Sequence, residues 1–549
     1  MVNCIRLNSV LRATSRALGT TSGRKQRPLV AEKTDQNNAT KSNFSDVQSV
    51  RHEQAKHSVL VACPAKITES KFLKYLSQYG ELAHHFFFDS NGTHAVVEFV
   101  DLQSIESLLS GTRIPNDEDV FVVPYKSRYI KVKTTEVGQQ FPKCSPQSSI
   151  PTNSLIDKLC RAENIEDQAH LLLDELQLTE ESIRLRYLVG SLISDIATAY
   201  FPEASVHLYG SSVNCFGKMG CDLDLFLNLD NIKGYKSGKT TSAYTAEFWM
   251  RRVSSGRTAQ QKILSVIGES IDTFGPGCNE VIKILNARCP LVRFSHQPSG
   301  LQCDLTADNQ IALRSSELLY IYGTLDHRVR ALVFALRCWA RIHSITSSIP
   351  GQWITNFSLT MMVLFFLQKR NPPVIPTLDQ LKSLAGKKEK SIIEGNDCTF
   401  VRDVNKIKPT ANTESLDDLL IEFLEFYGKF NFRTNCIDIR KGIEKNKPEA
   451  AALYIQNPFE QTLNVSKNVN QTQLQRFVNL AQESAFILQD QVRESSKNGK
   501  PWGLASILLT KSSEKEPKTK KKRKSASERI SNLLDSLKDN NTGKTQAEH

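Results

Sequence analysis

Asp222 and Asp224 lie two residues apart in a largely apolar segment that runs from Leu208 to Leu229. In an extended strand alternate side chains share a face, so both carboxylates point one way while Leu223 and Leu225 point into the core. Two carboxylates on one face offer the hard oxygen ligands that Mg2+ or Mn2+ prefers. The spacing therefore predicts a divalent-metal site suited to phosphoryl transfer.

A Gly-Ser turn precedes this pair. Gly210 lets the backbone approach a phosphate closely, and Ser211 and Ser212 add amide and hydroxyl donors. Successive backbone N–H groups in a turn form a nest that binds anions. Surface strands also alternate aspartate with apolar residues, so the pair alone indicates metal binding only weakly. The turn and the apolar strand before it favour a joint site for metal and triphosphate.

These residues resemble the signature of the polymerase-beta-like nucleotidyltransferases, in which an apolar residue and Gly-Ser precede Asp-apolar-Asp-apolar by about ten residues. The resemblance implies a third carboxylate on an adjacent strand, and the segment GLQCDLTADN offers Asp304 in a β-like run. Asp308 is the alternative, although it falls in the following turn. Asp222, Asp224 and Asp304 are thus implied as catalytic residues and as ligands of a two-metal site holding Mg2+ or Mn2+.

Later segments resemble the helical domain of template-independent RNA nucleotidyltransferases, among them RVRALVFALRCWARIHSI and YIQNPFEQTLNVSKNV. The resemblance implies that this domain recognises the nucleotide. The implied nucleotide-binding residues are Gly210, Ser211 and Ser212 in the turn, Ser315 and Ser316 at the sugar, Arg337 and Arg341 at the triphosphate, and Asn356 and Phe357 at the base.

Two of these assignments have simpler alternatives. Arg330, Arg337 and Arg341 fall along one line of a helical wheel, and a cationic stripe of this kind is commonly a solvated face. Phe357 precedes a strongly apolar helix and would also fit a core position. The resemblance favours nucleotide contacts at both places.

The function implied by the resemblance is template-independent addition of AMP residues from ATP to RNA 3′ ends, that is, polyadenylation of mitochondrial mRNA. Adenine is favoured because no histidine occurs between His343 and His549, whereas uridylyl-transferring relatives read uracil with a histidine of the late helical domain. One alternative is a terminal uridylyltransferase. The other is an inactive, dimeric RNA-binding scaffold, against which all three carboxylates argue.

The region from Ser58 to Lys133 shows the order βαββαβ and resembles an RNA-recognition motif (RRM). Leu60, His94 and Val96 stand where that family carries stacking aromatic residues, so base stacking on this sheet is not expected. A protein-binding or dimerising domain is favoured instead. The resemblance implies a homodimer formed through this RRM-like domain.

The chain is therefore predicted to be an α+β protein with several parts. These are a mitochondrial presequence (1–32), a linker (33–54), the RRM-like domain (55–134), helices that join the palm and the helical domain (154–200), a nucleotidyltransferase palm with a mixed sheet (201–311), a mostly helical poly(A)-polymerase-associated domain (312–510) and a basic disordered tail (511–549).

Composition agrees with a polyanionic partner. The net charge is +12, although much of the excess lies in the two tails. No acidic residue precedes Glu32, while arginines alternate with Ser, Thr, Leu and Val, which predicts import into the mitochondrial matrix. The lysine block near the C-terminus also resembles a nuclear import signal, which the presequence would override. No apolar run reaches the roughly eighteen residues of a membrane span.

Overall fold

The computed structural model describes residues 41–64, 67–113, 125–134, 142–229, 256–307, 309–347, 349, 351–494 and 501–509. The predicted presequence and the predicted basic tail lie outside these residues, as does Asp308. The described part has the predicted α+β architecture, in which two sheets and a helical body pack around three hydrophobic cores.

A four-stranded sheet forms the RRM-like domain. Its strands β1 (Ser58–Cys63), β2 (Leu82–Asp89), β3 (Thr93–Phe99) and β4 (Tyr129–Lys131) lie in the order β2-β3-β1-β4, with helices α2 (Glu69–Leu76) and α3 (Leu102–Gly111) on one face. The predicted βαββαβ order is confirmed. However, β4 runs parallel to β1, whereas a direct crossover from β3 through α3 would make it antiparallel to β1. The long connection between α3 and β4 permits this reversal.

The other face of this sheet packs against the palm. Leu60, Phe86, Phe88 and Val96 share one hydrophobic core with residues of helix α6 (Glu180–Tyr200). The face that would bind RNA in an RRM is therefore buried, consistent with the missing aromatic residues.

Residues 44–54 correct the predicted linker, because they form most of helix α1 (Phe44–Lys56). This helix is fixed by polar contacts with α6, in which Tyr187 donates a 2.6 Å hydrogen bond to Gln48 and Arg51 pairs with Glu180. The helix carries no pronounced apolar stripe, and Ala55 is its one buried residue. This explains why the sequence of this segment is typical of a linker.

The palm contains a five-stranded mixed sheet. Its strands β5 (Ser205–Tyr209), β6 (Leu223–Asn228), β7 (Cys278–Ile284), β8 (Leu291–His296) and β9 (Leu301–Ala307) lie in the order β5-β6-β9-β8-β7. Helices α6 and α7 (Arg257–Phe274) cover one face, where Leu223, Leu225 and Leu305 are fully buried. Because side chains alternate along a strand, the residues between these leucines face the side of the sheet opposite α6 and α7.

A helical body forms the rest of the described chain. Its helices are α4 (Thr152–Leu159), α5 (Ile165–Leu176), α8 (Gln310–Leu325), α9 (His327–Ile342), α10 (Asn356–Gln368), α11 (Leu378–Ser383), α12 (Leu416–Lys429), α13 (Gln471–Glu494) and α14 (Leu504–Leu508). Two hairpins pair β10 (Ile392–Ile393) with β11 (Asn396–Asp397) and β12 (Asn435–Asp438) with β13 (Ile443–Asn446). Short 3-10 turns occupy 210–212, 387–389 and 404–406.

The two parts of the predicted joining region (154–200) pack in different places. Helices α4 and α5 contribute to the core of the helical body, whereas α6 contributes to the core of the palm. Helix α10, with the most apolar sequence, is buried at the centre of the helical body. Within the described ranges, no helix is long and apolar enough to cross a membrane.

Candidate active site

The three predicted catalytic aspartates lie side by side at one end of the palm sheet. Asp224 on β6 and Asp304 on β9 are direct partners in the parallel pair, and Asp222 immediately precedes β6. The neighbouring residues Leu223 and Leu305 point into the core beneath α6 and α7. The three carboxylates thus share the face of the sheet that these helices leave open.

These carboxylates are crowded and partly removed from water. Asp222 lies at the exposed rim, Asp224 is half-buried and Asp304 is buried. Burial, followed by the charges of Asp304 and Asp222, raises the pKa of Asp224 to about 7. Desolvation within the cleft and the charge of Asp304 also raise the pKa of Asp222. Carboxylates in this arrangement either bind protons or bind a cation, as functional sites commonly do.

Arg293 offsets part of this negative charge. It lies opposite Asp304 in the antiparallel pair of β8 and β9. Its Nε donates to Asp304 Oδ1 at 2.6 Å, and its Nη2 donates to Oδ2, which gives a bidentate ion pair. This hydrogen bonding raises the pKa of the Arg293 guanidinium. Each carboxylate oxygen keeps a further lone pair, so Asp304 remains available as a metal ligand.

The Gly-Ser turn touches the aspartates directly. Gly210 has a φ of +65°, and a Cβ atom at this position would lie 2.3 Å from Asp224 Oδ2. Glycine is therefore required both by the left-handed backbone and by the close approach. The Gly210 N–H donates to Ser316 Oγ at 2.8 Å. This bond ties the turn to helix α8 of the helical body.

A buried arginine that sequence reasoning misses fixes the segment before Asp222. Arg186 on α6 is fully buried, and its Nη1 donates at 3.1 Å both to Ser212 Oγ and to the Asp222 carbonyl. Its Nη2 donates at 2.7 Å to the Cys221 carbonyl. The Ser212 hydroxyl therefore accepts a hydrogen bond from Arg186 instead of contributing to the open cleft. A charged residue on the buried face of an otherwise apolar helix is the signal that indicates such a role.

Arg337 joins the turn region to α10. Its Nη1 donates to the Phe216 carbonyl at 2.7 Å, and its Nη2 donates to Thr360 Oγ1 at 2.6 Å and to the Asn356 carbonyl at 3.4 Å. Burial lowers the pKa of Arg337 to about 10, so the guanidinium stays charged at neutral pH. The structure thus brings Arg337 and Asn356 together, next to the loop that follows the Gly-Ser turn.

The remaining predicted nucleotide contacts differ in exposure. Ser315 is half-buried and its hydroxyl donates to the Ile311 carbonyl at 2.9 Å. Phe357 is half-buried and packs against the core of the helical body. Part of its side chain therefore occupies a core position, which was the simpler alternative. Arg341 lies exposed in the last turn of α9, and Asn356 lies exposed at the start of α10.

The donor set fits divalent cations. Three carboxylates meet on one face with a single arginine paired to one of them, which leaves an excess of negative oxygen ligands. Mg2+, Mn2+ and similar hard ions prefer such oxygens. Metal ions bound by these carboxylates would act as Lewis acids beside the Gly-Ser turn that is predicted to bind phosphate.

Comparison with known proteins agrees with this geometry. Residues 165–324 match the profile of "Poly(A) RNA polymerase, mitochondrial-like, central palm domain", residues 43–113 match "RL domain", and residues 415–463 match "Cid1 family poly A polymerase". The human mitochondrial poly(A) RNA polymerase is 56% identical over 507 residues, covering 91% of this chain and 87% of that protein.

Solved structures of mtPAP are similar over most of the chain. The complex with ATPγS is 55% identical and superimposes with a TM-score of 0.80, covering 85% of this chain and 100% of that chain. The complex with UTP is 56% identical with the same TM-score and the same coverage. Binding of a nucleoside triphosphate by mtPAP is therefore not restricted to adenine.

Proposed function

Because the chain belongs to the mitochondrial poly(A) RNA polymerases, we propose that it adds AMP residues from ATP to RNA 3′ ends, without a template, by two-metal nucleotidyl transfer. It is a mitochondrial polynucleotide adenylyltransferase that uses divalent metal. The observation that carries the mechanism is the meeting of Asp222, Asp224 and Asp304 on the open face of the palm, beside the glycine turn.

Each part of the site has a distinct task. The turn at Gly210 brings backbone N–H groups to the triphosphate, and Arg337 adds positive charge near the same loop. Asp222 and Asp224 would hold the metal ions, and Asp304 lies next to Asp224, where it would help to deprotonate the attacking 3′-hydroxyl. Holding the hydroxyl and the α-phosphate in one geometry would contribute several orders of magnitude to the rate.

Mg2+ or Mn2+ is the proposed ion, since both prefer oxygen ligands. Base choice is less strongly determined by the structure. The ring of Phe357 would stack on any base, so preference for adenine must come from contacts with the base edge. A terminal uridylyltransferase is the remaining alternative within this class.

A homodimer is proposed to form through the RRM-like domain, in the mitochondrial matrix. One face of that sheet is buried on the palm and the other is covered by α2 and α3. In the described part of the sheet, β2 and β4 are the edge strands. A second copy would therefore have to use an edge strand or the outer surface of these helices. Sedimentation of the full chain would measure this association.

The test of the proposed function is extension of a labelled RNA primer with each nucleoside triphosphate in turn, with Mg2+ or with Mn2+. Long tails from ATP alone are expected. Equal or faster extension with UTP would assign the chain to the uridylyltransferases, and the absence of extension by a correctly folded dimer would favour the scaffold alternative.

A further inference from the structure

A large basic groove separates the RRM-like domain from the end of palm helix α7. Its volume is about 1740 Å3. The cationic residues that line it are Lys71, Arg113, Lys126, Lys131 and Lys133. No aspartate or glutamate is among the described lining residues. Such a concentration of one charge favours a polyanion.

Aromatic residues are interleaved with these cations. Tyr75, Tyr125, Tyr129 and Phe274 also line the groove, and Tyr75 is 42% exposed. Tyr125 donates a 3.0 Å hydrogen bond to the Phe274 carbonyl, which fixes the segment before β4 to the end of α7. Cationic grooves with exposed rings are typical of proteins that bind single-stranded nucleic acid, because phosphates pair with the cations and bases stack on the rings.

The groove opens at the same end of the palm sheet as the catalytic aspartates. Cys278, which starts β7, lies beside His296, and His296 lies beside Leu301 at the start of β9. Strand β9 in turn pairs with the start of β6, next to Asp222. Three strand spacings, about 15 Å in total, therefore separate the start of β7 from the aspartate-bearing strand β6 within the sheet. Because α7 covers the face opposite the carboxylates, RNA would have to pass around this end of the sheet to connect the groove with the site.

We propose that this groove binds the single-stranded part of the RNA that lies upstream of the 3′ end being extended. This inference rests on the proposed function, since it supplies a path for the remainder of the RNA substrate. An acidic polypeptide is a weaker match, because the exposed ring of Tyr75 would have no base to stack on. The groove uses the β4 edge of the RRM-like sheet and does not occupy the β2 edge, where Cys144 of the same chain pairs with the end of the strand at Phe88.

The direct test replaces three exposed lysines along the β4 edge in the full chain, as Lys126→Ala, Lys131→Ala and Lys133→Ala together. Affinity for a long single-stranded RNA is expected to fall by roughly 10- to 50-fold at 0.15 M salt, and the slope of log K against log salt is expected to fall by about 2, since each phosphate contact contributes about 0.7. Fluorescence anisotropy over a salt series measures both.

A matched control removes three exposed lysines elsewhere, as Lys387→Ala, Lys388→Ala and Lys390→Ala. This control is expected to bind long RNA as the unchanged protein does. Replacing the three groove lysines by arginine should preserve affinity, because the charge is kept. An unchanged affinity and salt slope in the groove alanine variant would overturn the proposal. Loss of polyglutamate binding with unchanged RNA binding would overturn it in favour of an acidic polypeptide.

A second variant tests stacking. Tyr75→Leu keeps an apolar side chain on α2 but removes the ring, and the affinity for long RNA is expected to fall roughly 5- to 10-fold. The unchanged protein should bind an abasic strand of equal length more weakly, and Tyr75→Leu should abolish that difference. Equal affinity of the unchanged protein for both strands would contradict stacking in the groove.

Primers of two lengths distinguish RNA binding in the groove from AMP addition at the active site. AMP addition to a primer too short to leave the active site should proceed at the same rate in the groove alanine variant and in the unchanged protein. Addition to a long primer should show a raised KM for RNA and an unchanged KM for ATP. If the unchanged protein extended neither primer, the proposed function would fail, while the binding measurements would still decide the groove.

Discussion

At the scale of single residues, the candidate site holds three carboxylates that repel one another and that are needed together to bind metal. Asp224 is half-buried beside two other carboxylates, and these surroundings raise its pKa to about 7. Such an arrangement costs stability in the metal-free protein and is relieved by a divalent cation. The period-two spacing of Asp222 and Asp224 is visible in the sequence. The contribution of Arg293 is not, because its pairing with Asp304 depends on two strands meeting.

Asp224→Asn is expected to abolish AMP addition, by about a thousandfold or more, without destabilising the metal-free protein. Removing one of three crowded charges should leave its free energy of unfolding unchanged or raise it by about 1–3 kcal/mol. Denaturant unfolding in the presence of a chelator measures this. A large loss of stability in that variant would show that the Asp224 charge is compensated in the fold.

Ser316→Ala separates two possible roles of this serine. The structure has its Oγ accepting from the Gly210 N–H, so the variant should lower kcat roughly tenfold through a displaced turn. The ratio of kcat/KM for ATP to that for 2′-deoxy-ATP should stay constant. A changed ratio would instead support the sugar contact that the family resemblance implies. Thr324→Ala is the matched control, because Thr324 lies on the same helix and its hydroxyl donates to the Tyr320 carbonyl at 3.0 Å.

At the scale of elements, α6 is the connection between the RRM-like domain and the palm. Arg128, just before β4, donates to carbonyls of Ala55 and Ser58 and pairs with Asp195 on α6 at 2.9 Å. Burial raises the pKa of Asp195, although the charge of Arg128 opposes the shift. The sequence predicts a final strand of the RRM-like domain and helices within residues 154–200. It does not predict their docking, because the contacts join residues far apart in the chain.

Arg128→Leu is expected to lower the free energy of unfolding by about 2–4 kcal/mol, because Asp195 and several carbonyls lose their partner. Adding Asp195→Leu should recover part of this loss, since no uncompensated charge would remain. Thermal or denaturant unfolding of the full chain measures both. If the single and double variants were equally destabilised, the ion pair itself would contribute little.

His296 on β8 should make the palm sensitive to acid. It is fully buried, and burial depresses its pKa to about 3, below the usual value of 6.5. The neutral form is therefore favoured in the fold, so its stabilising contribution is complete above pH 6.5 and decreases as the pH falls toward 3. Between pH 6.5 and 5 the expected loss is about 2 kcal/mol.

His296→Asn keeps a polar group near Ser299 but cannot be protonated. Its free energy of unfolding is expected to vary less steeply with pH over that window than that of the unchanged protein. Denaturant unfolding at a series of pH values gives the two slopes. Parallel slopes would show that other groups dominate acid unfolding.

At the scale of the whole molecule, three folded parts contribute to the proposed path of the RNA substrate. The palm carries the aspartates, the helical body holds the turn through α8 and α9, and the RRM-like domain forms a basic groove at the same end of the sheet. The nature of each part follows from its motifs and from what the family resemblance implies. The groove does not, since Lys71 and Phe274 come to line it only through long-range packing. Helix α1 is not predicted either, because its polar sequence is typical of a linker.

The most direct test of the account is AMP addition to an RNA primer by the variant Asp222→Asn with Asp224→Asn, compared with Asp272→Asn. Asp272 lies exposed on α7 in the same palm, so it controls for loss of one carboxylate away from the site. Full activity of the control and none in the double variant is predicted, with both proteins folded and binding long RNA in the groove. Continued AMP addition by the double variant would contradict catalysis by these aspartates.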